Sequence, residues 1–153
     1  RVGAGSALTV GYASARPDAH VSPLYCPSCD NDGYAWGETA FSSIQAAIDS
    51  GAPRVLLGPG LYRESISLVS GVQVIGAGAD LSVITPPRDS VRAVVTAEGV
   101  RGAILARVTV AGSGVVSGKP AGVVVEQGAQ AVRIARAIIR GAPVGVLVSD
   151  AGT

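Results

Sequence analysis

The side chains with the greatest capacity for chemistry lie in one stretch, residues 13–40, which holds the single histidine, His20, both cysteines and the single tryptophan. Cys26 and Cys29 have C-x-x-C spacing, which suits a local disulfide, a zinc site or a redox pair. A closed zinc site needs four ligands, whereas His20 and the cysteines supply three. A redox pair would need a thioredoxin-like βαβ unit, which the sequence lacks. The disulfide is the leading interpretation, and a zinc site and free thiols are the alternatives.

The same stretch contains the run D-N-D-G at residues 30–33. Calcium prefers several carboxylate and carbonyl oxygens on a glycine-assisted turn, so Asp30 and Asp32 are candidate calcium ligands. An EF-hand does not fit, because placing Gly33 at the sixth position puts Thr39 at the twelfth. A solvated Asx-rich loop is the alternative interpretation.

A short helix is predicted over residues 43–50, after this stretch. Ser42 and Gln45 have the S-x-x-Q spacing of a capping box, which places the helix start just after Ser42. Ile44 and Ile48 share one face. Because an isolated helix of about two turns is marginal in water, we expect this face to cap the open end of a β structure.

After Pro53 the pattern changes to short runs of Val, Ile and Leu, each closed by Gly or Pro. Such runs are typical of short strands with tight turns. An earlier strand is predicted at residues 8–12, and residues 13–40 are predicted to be an irregular inserted loop. No later connection is long enough for a crossover helix, so the strands are expected to stack as a solenoid.

The second half of the chain repeats. Three segments align with one another: 93–99, 122–128 and 145–151. The interval between the first two is longer than the interval between the last two, and the excess falls at residues 113–120. The alignment predicts that Glu98, Gln127 and Asp150 stack on one edge and that Val124 points into the core.

The interval between the first two segments also separates Arg107 from Arg136. The alignment therefore predicts that these two arginines lie one above the other on neighbouring turns of the solenoid, its rungs. Rungs are ~4.8 Å apart, so the two guanidinium groups repel unless they are solvated or bridged by an anion. Solvent exposure is one interpretation. The other is a groove for an acidic polysaccharide, because arginine pairs with carboxylates in bidentate fashion. The candidate ligand-binding residues are Arg107, Arg133, Arg136 and Arg140.

Three motifs follow one another: F-x-x-I-Q-A-A-I-D from Phe41, V-L-L-G-P-G-L-Y-R-E from Val55 and G-V-Q-V-I-G-A-G from Gly71. Their order resembles the N-terminal coils of extracellular right-handed parallel β-helix proteins, the pectin-lyase-like superfamily that includes pectinesterases. The resemblance covers residues 8–84. It implies a helix that caps the first coil and a scaffold role for residues 62–64.

The resemblance also implies an extracellular setting, in which the expected state of Cys26 and Cys29 is a disulfide. It does not carry catalysis, because the pectinesterase segments with the aspartate pair have no counterpart here. Other catalytic patterns fail too: a G-x-S-x-G motif is absent, and the carboxylates are few and scattered.

Composition narrows the possible classes of protein further. The 153 residues are 48% hydrophobic, enough for one domain with a sizeable core. A net charge of +1 gives no basic field for nucleic acid. The apolar runs fall short of the ~18 residues of a membrane span. Since the chain begins at Arg1 and residues 145–149 look like a fresh strand, we expect a processed fragment of a longer β-helix.

The sequence therefore predicts an all-β fold over residues 1–153, a right-handed parallel β-helix (solenoid) with a short N-terminal capping helix. The protein is expected to be secreted or on the cell surface, with a structural, adhesive or glycan-binding role, no catalytic site and no cofactor beyond possible calcium. One alternative is a polysaccharide lyase or pectinesterase-like enzyme acting on acidic polysaccharide. Another is a self-assembling fibre or surface-layer subunit that joins end to end through its C-terminal coil.

Overall fold

The computed structural model describes residues 16–88, 93–112 and 121–149. Within these ranges the chain is mostly β, with fourteen short strands, one helix, α1 (Ile44–Asp49), and a 3-10 turn at Asn31–Gly33. Nothing helical in the described ranges has the length and apolar character needed to cross a membrane. The strand predicted at residues 8–12, the loop at 113–120 and the predicted position of Asp150 lie outside the described residues.

The described strands form three sheets, and every pair of neighbouring strands is parallel. Sheet A holds β1 (Ala19–Val21), β2 (Ala40–Phe41), β3 (Arg54–Leu57), β6 (Gln73–Ile75), β9 (Ile104–Ala106) and β12 (Arg133–Ala135). Sheet B holds β4 (Gly60–Arg63), β7 (Ser82–Thr85), β10 (Thr109–Ala111) and β13 (Ile138–Arg140). Sheet C holds β5 (Ile66–Ser67), β8 (Val95–Glu98), β11 (Ala121–Glu126) and β14 (Val144–Val148).

From β3 onward the chain visits the sheets in a fixed rotation, A then B then C. In each sheet, strands from successive rounds are neighbours, in the order β12-β9-β6-β3 in sheet A, β13-β10-β7-β4 in sheet B and β14-β11-β8-β5 in sheet C. Each round of the chain, which we call a rung, therefore adds one strand to each sheet.

The core lies between the three sheets. Side chains alternate between the faces of a strand, so Val74 on β6, Ile84 on β7 and Val95 on β8 all point inward and are fully buried. Each stands in register with apolar partners on the neighbouring rungs, and one hydrophobic cluster joins all three sheets. Each such side chain contributes about 1.5 to 3 kcal/mol by burial.

The predicted alignment of rungs holds at one strand pair in each sheet. Val123 pairs with Val146, Ile104 with Arg133 and Thr109 with Ile138, as the aligned segments require. The rungs are not of constant length, however. Gln73 lies between Arg54 and Ile104 in the stack, and the step along the chain from Arg54 to Gln73 is much shorter than the step from Gln73 to Ile104.

The pairing of β8 with β11 departs from the prediction by one residue. Glu98 pairs with Glu126 and not with Gln127. Further along the same two rungs, Arg101 bridges to Gln130, which restores the predicted alignment. The turn after β11 therefore contains one residue more than the turn after β8. The sequence alignment matched Gly99 with Gly128, and this match concealed the insertion.

The shift of one residue also moves Val124 to the other face of its sheet. Val124 pairs with Thr96 and is buried in a small second cluster with Ala93, Ala121 and Leu147. Its predicted place in the main core is therefore wrong, since a slip of one residue exchanges the two faces of a strand.

Residues 13–40, predicted to be irregular, contain a strand in their described part. β1 lies between β3 and β2 in sheet A, with Ala19 and Val21 facing the core and His20 on the other face. A strand as short as β1 is too brief to give a periodicity signal, so the sequence hid it.

Helix α1 packs against β1, β2, β3 and β5 and buries Ile44, Ala47 and Ile48 on the core side, as the predicted capping role requires. Ser43, not the predicted Ser42, is the N-cap, because its hydroxyl accepts from the Ala46 amide. The side chain of Gln45 does not return to the start of the helix.

The remaining amide donors at the helix start are satisfied by Glu64, which follows β4. Its carboxylate accepts from Ile44 N–H at 2.8 Å, from Gln45 N–H at 2.9 Å and from the Ser43 hydroxyl at 3.0 Å. The first amides of a helix lack partners within the helix and carry partial positive charge, so a carboxylate there is stabilising. Glu64 thus joins the helix to the sheets.

Replacing Leu105 with Ala should destabilise the protein by about 2 to 5 kcal/mol, because Leu105 is fully buried on β9 and its loss leaves a cavity. The matched control is Ile104→Ala, since Ile104 is only half-buried on the other face of the same strand; it should cost about 1 kcal/mol or less. Urea unfolding measures both variants. Equal losses would contradict the inward orientation of Leu105.

Glu64→Gln should lower the free energy of unfolding by about 1.5 to 3 kcal/mol, the range for hydrogen bonds to a charged group. Glu38→Gln is the control, because Glu38 is exposed, and it should stay within about 0.5 kcal/mol of the wild type. Chemical denaturation gives both free energies. If the Glu64 variant is as stable as the control, the Glu64 carboxylate does not stabilise the start of the helix.

Candidate functional site

The inserted loop is held in a defined shape by Asn31, which is buried. Its side-chain oxygen accepts from the Cys26 amide at 2.9 Å, and its side-chain amide donates to the Cys26 carbonyl at 2.8 Å. Cys26 and Cys29 form a disulfide with their Cα atoms 5.0 Å apart, as predicted. Both thiols are consumed, so the zinc interpretation with His20 does not apply.

The D-N-D-G run makes a left-handed turn. Asn31, Asp32 and Gly33 have φ angles of 55°, 56° and 86°, a region that Asn, Asp and Gly tolerate better than other residues. The turn brings the Asp32 carboxylate to Tyr25, whose hydroxyl donates to Oδ2 at 2.8 Å.

A second contact joins the loop to sheet A. The His20 ring stacks on the Tyr34 ring with their centroids 3.6 Å apart and their planes 9° from parallel. The His20 amide also donates to the Thr39 carbonyl at 2.7 Å. Pairing on β1 therefore fixes the backbone of His20, and Tyr34 covers one face of its ring.

These contacts enclose an open cleft of about 280 Å³ between the loop and sheet A. The residues lining it are His20, Val21, Tyr25, Asp32, Tyr34, Leu56, Leu57 and Gly58. Leu56 pairs with His20 and lies on the same face of sheet A. Beneath this floor, the buried Tyr62 hydroxyl lies 2.8 Å from the Gly58 carbonyl and 3.0 Å from that of Val21, and burial raises the pKa of Tyr62.

The electrostatics of the cleft are set by Asp32. It carries the only formal charge among the lining residues when His20 is neutral. Partial burial, followed by the hydrogen bond and the negative charge of Asp32, raises the pKa of Tyr25 to about 12. Tyr25 therefore stays a neutral phenol at physiological pH and remains a hydrogen-bond donor.

The structure brings together two of the four predicted arginines. Arg107 and Arg136 occupy the corner between sheets A and B on neighbouring rungs, where the Arg107 amide donates to the Ala135 carbonyl at 3.1 Å. Both side chains are exposed, and both backbones are left-handed, with φ angles of 59° and 50°. Gln127 and Ala131 are left-handed in the connection from sheet C to sheet A, so this conformation reflects corner geometry and not arginine chemistry.

The other two arginines flank this corner on different faces. Arg133 lies on β12 in sheet A and pairs with Ile104, whereas Arg140 lies on β13 in sheet B and pairs with Ala111. A ligand running along the stack would meet Arg107 and Arg136 in succession, but it could not follow both neighbouring faces. The predicted set of four is therefore one pair with an arginine on either side.

The calcium prediction involves one residue of the cleft and one outside it. Asp32 lines the cleft, while Asp30 is exposed and precedes the 3-10 turn. Within the described ranges, no three His, Cys, Asp or Glu side chains are grouped closely enough to hold a metal ion. Calcium binding at Asp30 and Asp32 stays a prediction.

Sequence reasoning missed Tyr25 and Tyr34. The available signal was composition: tyrosine occurs only four times in 153 residues, yet these two lie in the same inserted loop as the single histidine. Their meeting in one cleft depends on β1 and on the left-handed turn, which local patterns did not reveal.

Comparison with known proteins gave no match, whether with a family model, a curated protein or a solved structure. Any functional proposal for this chain therefore depends on its own side chains and their geometry.

Asp32→Asn should lower the Tyr25 pKa from about 12 toward 10, because it removes the neighbouring negative charge. Since the folded pKa of Tyr25 lies above the ordinary value of about 10, its contribution to stability is complete below pH 10 and is lost as the pH rises toward 12. Alkaline titration of phenolate absorbance measures the shift. Tyr25→Phe identifies the transition that belongs to Tyr25, and an unchanged transition in Asp32→Asn would refute the coupling.

Proposed function

We propose that the three sheets are the faces of a right-handed parallel β-helix and that the protein binds glycans at a cell surface or outside the cell. Support for the architecture comes from the fixed rotation of the chain through three parallel sheets, since parallel connections are right-handed in nearly all proteins. The disulfide fits an oxidising compartment.

The observation that carries the binding proposal is the cleft of His20, Tyr25, Asp32 and Tyr34. A sugar ring offers hydroxyl groups, which can donate to a carboxylate, and apolar C–H faces, which pack on aromatic rings. The cleft combines both kinds of surface. Its volume of about 280 Å³ is just below the ~300 Å³ at which small-molecule pockets begin, so it suits a single sugar residue.

Preorganisation adds to this support. Binding costs less when the groups that contact the ligand are already ordered. Here the disulfide and Asn31 fix the loop, the β1 pairing fixes His20, and the hydrogen bond to Tyr25 orients Asp32. A loop held on a rigid scaffold is a common location for binding residues.

Binding without turnover is the form of the proposal that this cleft supports best. Glycoside hydrolysis commonly uses two carboxyl groups about 5 to 9.5 Å apart. Among the described residues that line the cleft, Asp32 is the sole carboxylate. We therefore favour a binding module over a glycosidase.

A second candidate uses the corner formed by Arg107 and Arg136. Their positions on successive rungs would let an acidic polysaccharide lying along the stack meet two guanidinium groups, the arrangement that the lyase or esterase alternative requires. End-to-end self-association through the C-terminal coil stays a prediction, as does the fibre or surface-layer role.

Tyr34→Ala should weaken glycan binding about fivefold or more, because an aromatic contact is worth roughly 1 kcal/mol. Trp36→Ala is a matched control: Trp36 is 38% exposed and Tyr34 37%, but Trp36 does not line the cleft. A glycan array followed by calorimetry on the best ligand gives the affinities. Equal losses in both variants would exclude the cleft, and loss of acidic polysaccharide binding in Arg107→Ala alone would favour the second candidate.

A further inference from the structure

The charges around the cleft point to a particular class of sugar. We infer that the cleft selects neutral or amino sugars and rejects uronates, with Asp32 as the residue that determines this specificity. The inference rests on the proposed glycan binding and adds to it the charge of the ligand. It differs from the acidic polysaccharide expected at the arginine corner.

The first argument is the chemistry of the lining. Apart from Asp32, the cleft is lined by the rings of His20, Tyr25 and Tyr34, by aliphatic side chains and by the backbone of Gly58, so Asp32 carries the only formal charge when His20 is neutral. The comparison therefore applies at a pH at which His20 is neutral. One Asp32 oxygen already accepts from Tyr25, but a carboxylate has about four acceptor sites on its two oxygens. Sugar hydroxyls or an ammonium group can donate to the remaining sites, whereas a sugar carboxylate has no proton to donate at neutral pH.

The second argument concerns the nearest arginine on the floor strand. Arg54 lies two residues before Leu56 on β3, so both side chains are on the same face of sheet A. Arg54 could have offered a cation to a uronate. Its guanidinium is instead engaged by Asp18 through two hydrogen bonds of 3.1 and 2.6 Å, the one ion pair that the described ranges contain.

The third argument is the magnitude of the repulsion. Two like charges about 4 Å apart repel by about 1 kcal/mol in a water-like medium and by more where water is partly excluded. Because the cleft is open to water, the repulsion should be close to about 1 kcal/mol. A uronate should therefore bind about fivefold more weakly than the matching neutral sugar. An ammonium group at the same distance is attracted to Asp32, so the amino sugar should bind more tightly than the neutral sugar by a similar factor.

The experiment compares methyl glycosides that share one ring: galactose, galacturonate and galactosamine, with the three corresponding glucose derivatives as a second series. Affinities are measured by calorimetry or ligand-observed NMR at low salt. A chelator is present so that calcium cannot bridge Asp32 to a uronate. The wild type should bind the uronate at least fivefold more weakly than the neutral sugar, and the amino sugar at least as tightly.

Asp32→Asn is the informative variant, because asparagine tolerates the left-handed backbone and keeps an oxygen that can accept from Tyr25. The neutral-to-uronate ratio should fall to about two or less. Asp30→Asn removes a charge of the same sign from an exposed position outside the cleft lining, so it should keep the wild-type ratio. Thermal unfolding of each variant checks that the loop has folded.

The outcomes separate the two proposals. If none of the six glycosides binds, the glycan proposal fails and this inference fails with it. If sugars bind but the uronate binds as tightly as the neutral sugar, or if the ratio persists in Asp32→Asn, only the inference is overturned. Salt should reduce the ratio in the wild type and have little effect in Asp32→Asn, since screening acts on the charge repulsion.

Discussion

The parallel register between successive rungs is the constraint on which the other features depend. Each strand is too short to be stable alone, but its backbone donors and acceptors pair with those of the neighbouring rungs. The same register stacks Val55, Val74 and Leu105 in one inward column. A rung can therefore change length in its loops while the paired positions stay aligned, which leaves loops free to vary without cost to the core.

That freedom explains how the cleft is built. The inserted loop does not stand apart from the stack, because its strand β1 occupies a place in sheet A between β3 and β2. Pairing with Leu56 gives His20 a fixed position, and the loop folds back to put Tyr34 on the His20 ring. The scaffold supplies the rigidity and the loop supplies the polar and aromatic groups, so neither part would form the cleft without the other.

The sequence predicted the features that depend on local periodicity and missed those that depend on distant partners. Short strands, helix α1 and the pairing of Val123 with Val146 followed from repeated apolar positions. Glu64 as the helix cap was beyond reach, because its partners lie on an earlier element, with two strands between them and Glu64. The Glu98–Glu126 pairing was missed because one inserted residue changes the register without altering the apolar pattern. The cleft was missed because it combines β1, a left-handed turn and an aromatic stack.

The distance between the charge of the cleft and the charge of the arginine corner decides whether the two affect each other. The cleft lies beside β1, and Arg107 follows β9, which is three strand positions away in sheet A. At roughly 4.8 Å per strand this separation is about 14 Å, more than the ~8 Å screening length at physiological ionic strength. The negative cleft and the positive corner therefore act independently. If both proposed sites bind glycan, a uniformly acidic polymer lying along the stack would be attracted at the corner and repelled at the cleft, whereas a polymer that alternates uronate with neutral or amino sugars would suit both proposed sites.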